Sequence, residues 1–381
     1  MAVRFLDCMG SHYMVGIQQG RMGKQAIHAA WEIFSDSQHL EMIRKAKFAP
    51  KALYLIHCQQ KAENFLKKIV KDALPEQHER IKGIASGADI PEKIVYLLQA
   101  IEMELAPKPS MYALGSGTIM GIKPDATTTG EPVLIKNLDY TLPYQDMLFV
   151  RRNKPMAGCQ TLDVSLAFSS GAHAGINEHG LCFLHTFAYP SDSLSIKSIP
   201  LSIVLQEALE TCYTVEEAAR LINRHNRDAG ASILLADASG DMRVLETSRS
   251  SSAQRLAESN YIIATNHYIS PEMATNQFPV NARWGDKALP RLRGEAVYDS
   301  SLSRYSRAEQ LLSKGAINPD SIEEILADHN GEVPGENAIC RHGAVFSTQA
   351  SIIIYPNRQS IRVAAGKPCE GQFEEFTMKK V

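Results

Sequence analysis

The sequence predicts an α+β protein with its helices first and its strands after them. Three observations carry this. Residues 1–115 place apolar side chains at helical spacing, and residues 116–381 hold short alternating or apolar runs punctuated by turn formers. A glycine followed by a hydroxyl residue, Gly115-Ser116, stands where the pattern changes. With 381 residues, 44% hydrophobic and 22% charged, the chain can bury a large core. That core is one large domain or two smaller ones, and the change of pattern divides a helical segment, 1–115, from a strand-rich segment, 116–381.

The first helical pattern follows Ser11-His12-Tyr13 and runs past Trp31 and Phe34. Another spans Ala52 to Leu74, and its Lys61, Lys67, Lys68 and Lys71 read as a solvated face. Gly83-Ile84-Ala85-Ser86-Gly87-Ala88 is expected to break that run, and Pro91 suits the start of a new helix. Ile94, Leu97, Leu98, Ile101 and Leu105 mark the new helix's apolar face. Pro107-Lys108-Pro109-Ser110 then reads as a linker to the junction.

Beyond residue 116, Gly117 to Met120 and Val133-Leu134-Ile135 predict a hairpin around the turn formers of 124–131. Leu162, Val164, Leu166 and Phe168 alternate, predicting a half-buried strand. Gly175-Ile176-Asn177-Glu178-His179-Gly180-Leu181 reads as a tight turn into a strand ending in His185-Thr186-Phe187. A helical stripe covers Leu201 to Leu209, and Thr214-Val215-Glu216-Glu217 is a capping box. A hairpin is expected across Ala231 to Ser248, then a buried strand, Tyr261 to Ala264, ending in Thr265-Asn266-His267. Gln277 to Tyr298 is loop-rich, Ser301 to Leu312 is a helix closed by Gly315, and Asp320-x-x-Glu323 caps another. Ser351 to Tyr355 and Ser360 to Ala364 form the last hairpin.

Composition excludes several function classes. A formal net charge of -2 offers no field for nucleic acid or an anionic membrane. No apolar run is long enough to span a bilayer, and the first residues lack a basic-then-apolar leader pattern, so a cytoplasmic protein is expected. The seven cysteines (Cys8, Cys58, Cys159, Cys182, Cys212, Cys340, Cys369) are never spaced C-x-x-C. That spacing disfavours metal and disulfide frameworks, and no metal or cofactor is expected. Cys8 and Cys340 stand as alternative nucleophiles without local motifs, and no G-x-S-x-G elbow occurs.

The chemistry concentrates around Gly115-Ser116. A strained peptide bond followed by a hydroxyl or thiol can undergo an N-to-O or N-to-S acyl shift and hydrolyse. Cleavage there would free the α-amine of residue 116, whose pKa of about 7.7–8 suits a general base for its own side chain. The predicted hairpin returns the chain at Lys136-Asn137-Leu138-Asp139-Tyr140, which brings the carboxylate of Asp139 beside Ser116. An ordinary serine in a glycine-rich turn is the plainer local alternative. Asn266, at a strand end, is suited to donate to a developing oxyanion, with an Asn-containing turn as the plainer alternative.

Taken together, Gly115-Ser116, Asn137-Leu138-Asp139-Tyr140, the Gly175–Leu181 turn, Thr265-Asn266-His267, Ser303-Arg304-Tyr305 and the ending Gly366-Lys367-Pro368-Cys369 resemble one family. It is the acyl-coenzyme A:6-aminopenicillanic acid acyltransferase family of N-terminal nucleophile hydrolases, related to penicillin V acylases and bile-salt hydrolases. The resemblance extends over about residues 9–375, including Gly10 to Tyr13, Gly16 and Gly20. It implies a four-layer αββα sandwich as one integrated domain, with 1–115 as pro-segment or α-subunit and 116–381 as β-subunit, and self-cleavage before residue 116 into an α/β heterodimer, with a homo-oligomer left open. It implies catalysis by residue 116 with Asp139 and Asn266 on a small amide or acyl substrate. Lys136, Tyr140, Tyr144, His185, Thr186, His267 and Arg304 would bind substrate or support the site. Tyr140, Leu142 and Tyr144 suggest an apolar acyl group, and a backbone N–H near Thr186 would complete the oxyanion hole. His185 reads as a wall residue or an acid/base, and Arg304 as catalytic support or a structural ion pair. Cys369 reads as structural.

Two departures stand out. Lys136 sits where the family often has Arg or Gln, and Ser116 sits where it has cysteine. A thiol with a pKa of about 8.5 is far more acidic than a hydroxyl, which favours Ser116 as a replacement that halts self-cleavage. Serine also serves as nucleophile in other N-terminal nucleophile enzymes, so native use stays open. Acyl transfer from acyl-coenzyme A and a non-catalytic binding protein on the same fold are the alternative functions.

Overall fold

The computed structural model describes residues 3–36, 50–100, 115–140, 145–192, 198–225, 230–257, 259–286, 288, 290–331 and 334–379. Its frame is two facing sheets. One has eight strands in the order β1-β4-β5-β6-β7-β8-β9-β10, and the other six in the order β11-β2-β3-β12-β13-β14. The larger comprises β1 (Arg4–Gly10), β4 (Leu148–Pro155), β5 (Thr161–Leu166), β6 (Ala174–Asn177), β7 (Cys182–Ala188), β8 (Gly230–Ala236), β9 (Met242–Thr247) and β10 (Ser252–Leu256). The smaller comprises β2 (Gly115–Ile122), β3 (Val133–Tyr140), β11 (Tyr261–Ala264), β12 (Ser347–Tyr355), β13 (Ser360–Ala365) and β14 (Phe373–Thr377). All pairings are antiparallel except β1 with β4.

Before residue 115 the described residues are mostly helical apart from β1. It contains α1 (His12–Met22), α2 (Lys24–Asp36), α3 (Lys51–Lys61), a π-helical turn at Ala62–Lys67, α4 (Lys68–Ala73), α5 (Pro75–Ala88) and α6 (Glu92–Gln99). Ile101, Leu105 and the linker of 107–110 lie outside the described residues. The expected break at 83–88 does not occur: these residues lie inside α5, which ends at Asp89 in the left-handed conformation. The glycines serve packing. A Cβ on Gly16 would lie 2.1 Å from the Arg80 carbonyl, and one on Gly83 would lie 2.1 Å from the Tyr13 carbonyl. Gly20 and Gly87 repeat the arrangement one turn on, so α1 and α5 touch backbone to backbone.

This pair is tied to the larger sheet by a buried polar network. Arg80 on α5 donates to Glu210 Oε1 (3.2 Å) and Asn153 Oδ1 (2.8 Å), and Arg151 on β4 pairs with Asp163 on β5 (2.7 Å). Glu210 belongs to α7 (Leu201–Thr211), which α8 (Val215–Arg224) follows after the Thr214 cap. The half-buried strand expected at 162–168 is therefore buried on both faces. Asp163 and Ser165 face this network instead of solvent. On the smaller sheet, Met120, Val133, Ile135 and Ile353 pack against α9 (Asp299–Leu312) and α10 (Pro319–Leu326). The cap of α10 is Asn318, whose Oδ1 accepts from the Ser321 N–H at 2.8 Å, and not Asp320. Among the described residues, no helix is long and apolar enough to cross a membrane.

Candidate active site

The β2–β3 hairpin forms as expected, and its register sets Ser116 directly opposite Asp139 and Gly115 opposite Tyr140. Gly117, one residue on, has φ +153°, and a Cβ there would come within 2.4 Å of the Asn137 carbonyl. Close strand approach therefore requires glycine immediately after the candidate nucleophile.

Asp139 is fully buried and held by β12 and the loop before it. Its Oδ1 accepts from Thr348 Oγ1 at 2.9 Å, and Arg341 Nη1 lies 3.5 Å from Oδ2. Thr348 Oγ1 in turn accepts from the Arg341 N–H at 2.9 Å. The register of β3 with β12 shifts between Thr348 and Ala350, so an irregularity falls where the carboxylate is gripped.

Arg304 is the hub of the site. It projects from α9 and donates from Nη1 to the Gly117 carbonyl (2.7 Å) and Thr118 Oγ1 (2.9 Å), and from Nη2 to Asn266 Oδ1 (2.5 Å). Burial, with Arg341 nearby, lowers its pKa to about 10, which leaves it cationic at neutral pH. One rigid fork thus joins the strand carrying residue 116 to the candidate oxyanion amide. Because a guanidinium only donates, it also orients Asn266, with Oδ1 toward Arg304 and Nδ2 away.

Asn266 Nδ2 donates to Thr186 Oγ1 (3.0 Å) and the Phe187 carbonyl (2.7 Å), and its backbone N–H donates to Ser301 Oγ (2.7 Å). Thr186 Oγ1 donates onward to the Gly117 carbonyl at 3.3 Å, so β7 reaches β2 through a side-chain hydroxyl. His267 stands one contact behind: its Nδ1 lies 2.8 Å from Ser301 Oγ and 3.1 Å from Thr265 Oγ1. Burial, then Arg304 and Arg255, brings its pKa down to about 4, so the ring is neutral and orients Ser301.

Lys136, Tyr140 and His185 meet at His173, between the sheets. Lys136 Nζ donates to the His173 carbonyl (3.0 Å), and Tyr140 meets the His173 ring edge-on with centroids 6.0 Å apart. His185 stacks on that ring at 5.5 Å, with Nδ1 3.1 Å from the His173 carbonyl. Burial, then Lys136, holds His185 well below its ordinary pKa, which suits a packed wall more than proton transfer. Leu142 and Tyr144 lie outside the described residues. Cys8 and Cys340 are buried thiols that burial pushes upward, so neither resembles an activated nucleophile.

Sequence reasoning missed Arg341, Thr348, Ser301 and His173. Arg341 and Thr348 reach the site through the loop before β12 and that strand, Ser301 sits on α9 one turn before Arg304, and His173 lies just before β6.

A two-sheet α+β protein with a glycine-flanked serine paired in register with a buried aspartate defines the class. The sequence of residues 126–370, more than half of the chain, matches the family described as acyl-coenzyme A:6-aminopenicillanic acid acyl-transferase, and the chain belongs to that family. The match takes in Asp139, Asn266 and Arg304 and begins downstream of Gly115-Ser116. No curated protein matches the chain. Similar solved structures include a Caenorhabditis elegans N-acylethanolamine-hydrolyzing acid amidase ortholog, at 15% identity over 63% of this chain and 92% of that one, TM-score 0.43. A mutant of the conjugated bile acid hydrolase from Clostridium perfringens is also 15% identical, over 68% and 96%, TM-score 0.41. Penicillin V acylase from Agrobacterium tumefaciens is 15% identical over 65% and 82%, TM-score 0.37.

Proposed function

We propose that this chain is a self-processing amidohydrolase or acyltransferase acting on a small N-acyl substrate through an acyl-enzyme on residue 116. The observation that carries the reading is the Ser116–Asp139 register, with Asp139 gripped by Thr348 and Arg341. Cleavage before residue 116 would divide the chain into 1–115 and 116–381, joined by the β1–β4 pairing and the Arg80–Glu210 link. The helices and two sheets are then the layers of an αββα sandwich.

In the proposed mechanism the freed α-amine takes the proton from the residue 116 side chain as that side chain attacks the acyl carbon. Asp139 orients the resulting ammonium. Asn266 and a backbone N–H hold the oxyanion, which requires substrate to displace the Thr186 hydroxyl from one Nδ2 hydrogen. The amine leaves with the proton, and water or an amine acceptor releases the acyl group by the reverse sequence. A cysteine at position 116 performs both steps faster than serine.

The test incubates the Ser116→Cys chain with a panel of N-acyl amides and follows protein mass. A mass increase equal to one acyl group, on the fragment beginning at residue 116 and decaying with product release, is expected. An unmodified protein across the panel, with no amine released, refutes the proposal. Adding an acyl-coenzyme A with an amine acceptor separates transfer from hydrolysis, because only transfer yields the new amide.

A further inference from the structure

We propose that His329, Cys340, His342 and Cys369 form a structural zinc site that clamps the loop supporting Asp139. The four residues come from three places: the turn after α10, the loop before β12, and the connection from β13 to β14. Their donor atoms all lie within 4.8 Å of one another. Cys340 Sγ and Cys369 Sγ are 3.6 Å apart, and His342 Nε2 lies 3.5 Å from the first and 3.3 Å from the second. His329 Nε2 is 3.1 Å from His342 Nε2.

Hydrogen bonding alone does not account for this convergence. A ring nitrogen carries one proton or one lone pair, yet His342 Nε2 faces two sulfurs and a second imidazole nitrogen. A central metal satisfies all four donors at once. Zinc, with bonds of about 2.3 Å to sulfur and about 2.0–2.1 Å to nitrogen, sets tetrahedral donor separations of about 3.3–3.8 Å, close to those found. Two thiolates and two imidazoles also select zinc over calcium, magnesium or manganese, which prefer oxygen. Binding would release two thiol protons to solvent, and the two thiolates would balance the ion's charge.

The backbone already holds these donors in place. The Cys340 N–H donates to the Asp328 carbonyl (3.0 Å) and the His342 N–H to that of Gly335 (3.1 Å). Asp328 is fixed by a two-point pair with Arg307 on α9, at 2.7 and 2.9 Å. Between the two ligands Cys340 and His342 stands Arg341, 3.5 Å from Asp139. Just before Cys340, the Ile339 carbonyl accepts from Asn137 Nδ2 at 2.8 Å. A metal here would fix the position of both groups. C-x-x-C spacing could not reveal the site, because the fold assembles it from C-x-H and two distant residues.

The experiment is metal analysis of the full chain, purified under reducing conditions without chelators after growth with added zinc. About one zinc per chain is expected. Cobalt reconstitution should give the intense absorption of a tetrahedral thiolate complex. The Cys369→Ser variant, at an exposed position, and the His342→Gln variant should both lose that spectrum while keeping the parent's circular dichroism. Less than about a tenth of an equivalent of zinc, with no cobalt spectrum, overturns the proposal, as the site would then lack the closed Cys2His2 geometry. Peptide mapping that finds a Cys340–Cys369 disulfide in freshly purified protein overturns it as well. The test is independent of the chemistry at residue 116.

Discussion

Replacing Arg304 with lysine isolates what the guanidinium does, because charge is kept and the fork is lost. It donates to three buried acceptors: the Gly117 carbonyl, which Thr186 Oγ1 also reaches, Thr118 Oγ1 and Asn266 Oδ1. An ammonium on a shorter stem can serve at most one well. A hydrogen bond to a charged donor contributes about 1.5–3 kcal/mol, so losing one or two of them in Arg304→Lys should destabilise the fold by about 2–4 kcal/mol. That is a large share of a total of about 5–15 kcal/mol. In urea titrations the midpoint should fall with little change in slope. The exposed Arg220–Glu216 pair (3.9 Å) supplies a control, and Arg220→Lys should leave the midpoint in place. In the Ser116→Cys background, Arg304→Lys should also lower amide turnover by about a hundredfold, as loss of an oxyanion donor does. A variant with parental midpoint and parental turnover would refute the hub role.

Two further outcomes follow from the N-terminal helices. Gly83→Ala adds a Cβ 2.1 Å from the Tyr13 carbonyl, so α1 and α5 must separate, and a loss of about 1–3 kcal/mol is expected in thermal or urea unfolding. The same substitution at Gly285, where nothing lies within 4 Å, should cost far less. His12 gives a pH dependence. Burial opposes its charging, but the hydrogen bond and charge of Glu210 outweigh burial, with Glu76 adding and Arg80 opposing, so its pKa rises above 6.5. A raised folded-state value means this stabilisation is complete below about pH 6.5 and fades as pH climbs through the folded pKa. The fall in stability above pH 6.5 should flatten in His12→Gln, and an identical profile in both proteins would dismiss the pair.

Helix-first, strand-later order was legible because periodicity survives in single sequences. So was the hairpin that faces Ser116 with Asp139, since apolar runs flanking a turn-rich stretch determine which ends meet. The glycines of α5 misled for a physical reason. In isolation Gly83 and Gly87 lower helix propensity, and only the presence of Gly16 and Gly20 on a partner helix turns them into a contact surface. Asp163 was similarly opaque: alternation predicted solvent for it, and the fold instead supplies Arg151. Strands β1, β4, β10 and β14 escaped notice: β1, β10 and β14 lie at sheet edges, and β4 interrupts its apolar run with Arg151, Arg152 and Asn153. Arg341, Thr348 and the Cys340–Cys369 neighbourhood depend on pairings between segments that no local pattern links. Arg304 was named from its motif, but its contacts to Gly117 and Asn266 could come only from coordinates.

The most direct measurement is the intact mass of the purified protein with Ser116 and of its Ser116→Cys variant, each followed by N-terminal sequencing. Two fragments, 1–115 and 116–381, with the second beginning at residue 116, are expected from the cysteine-substituted chain, and more slowly or not at all from the serine form. Two intact single chains after prolonged incubation would contradict a nucleophile at a liberated terminus.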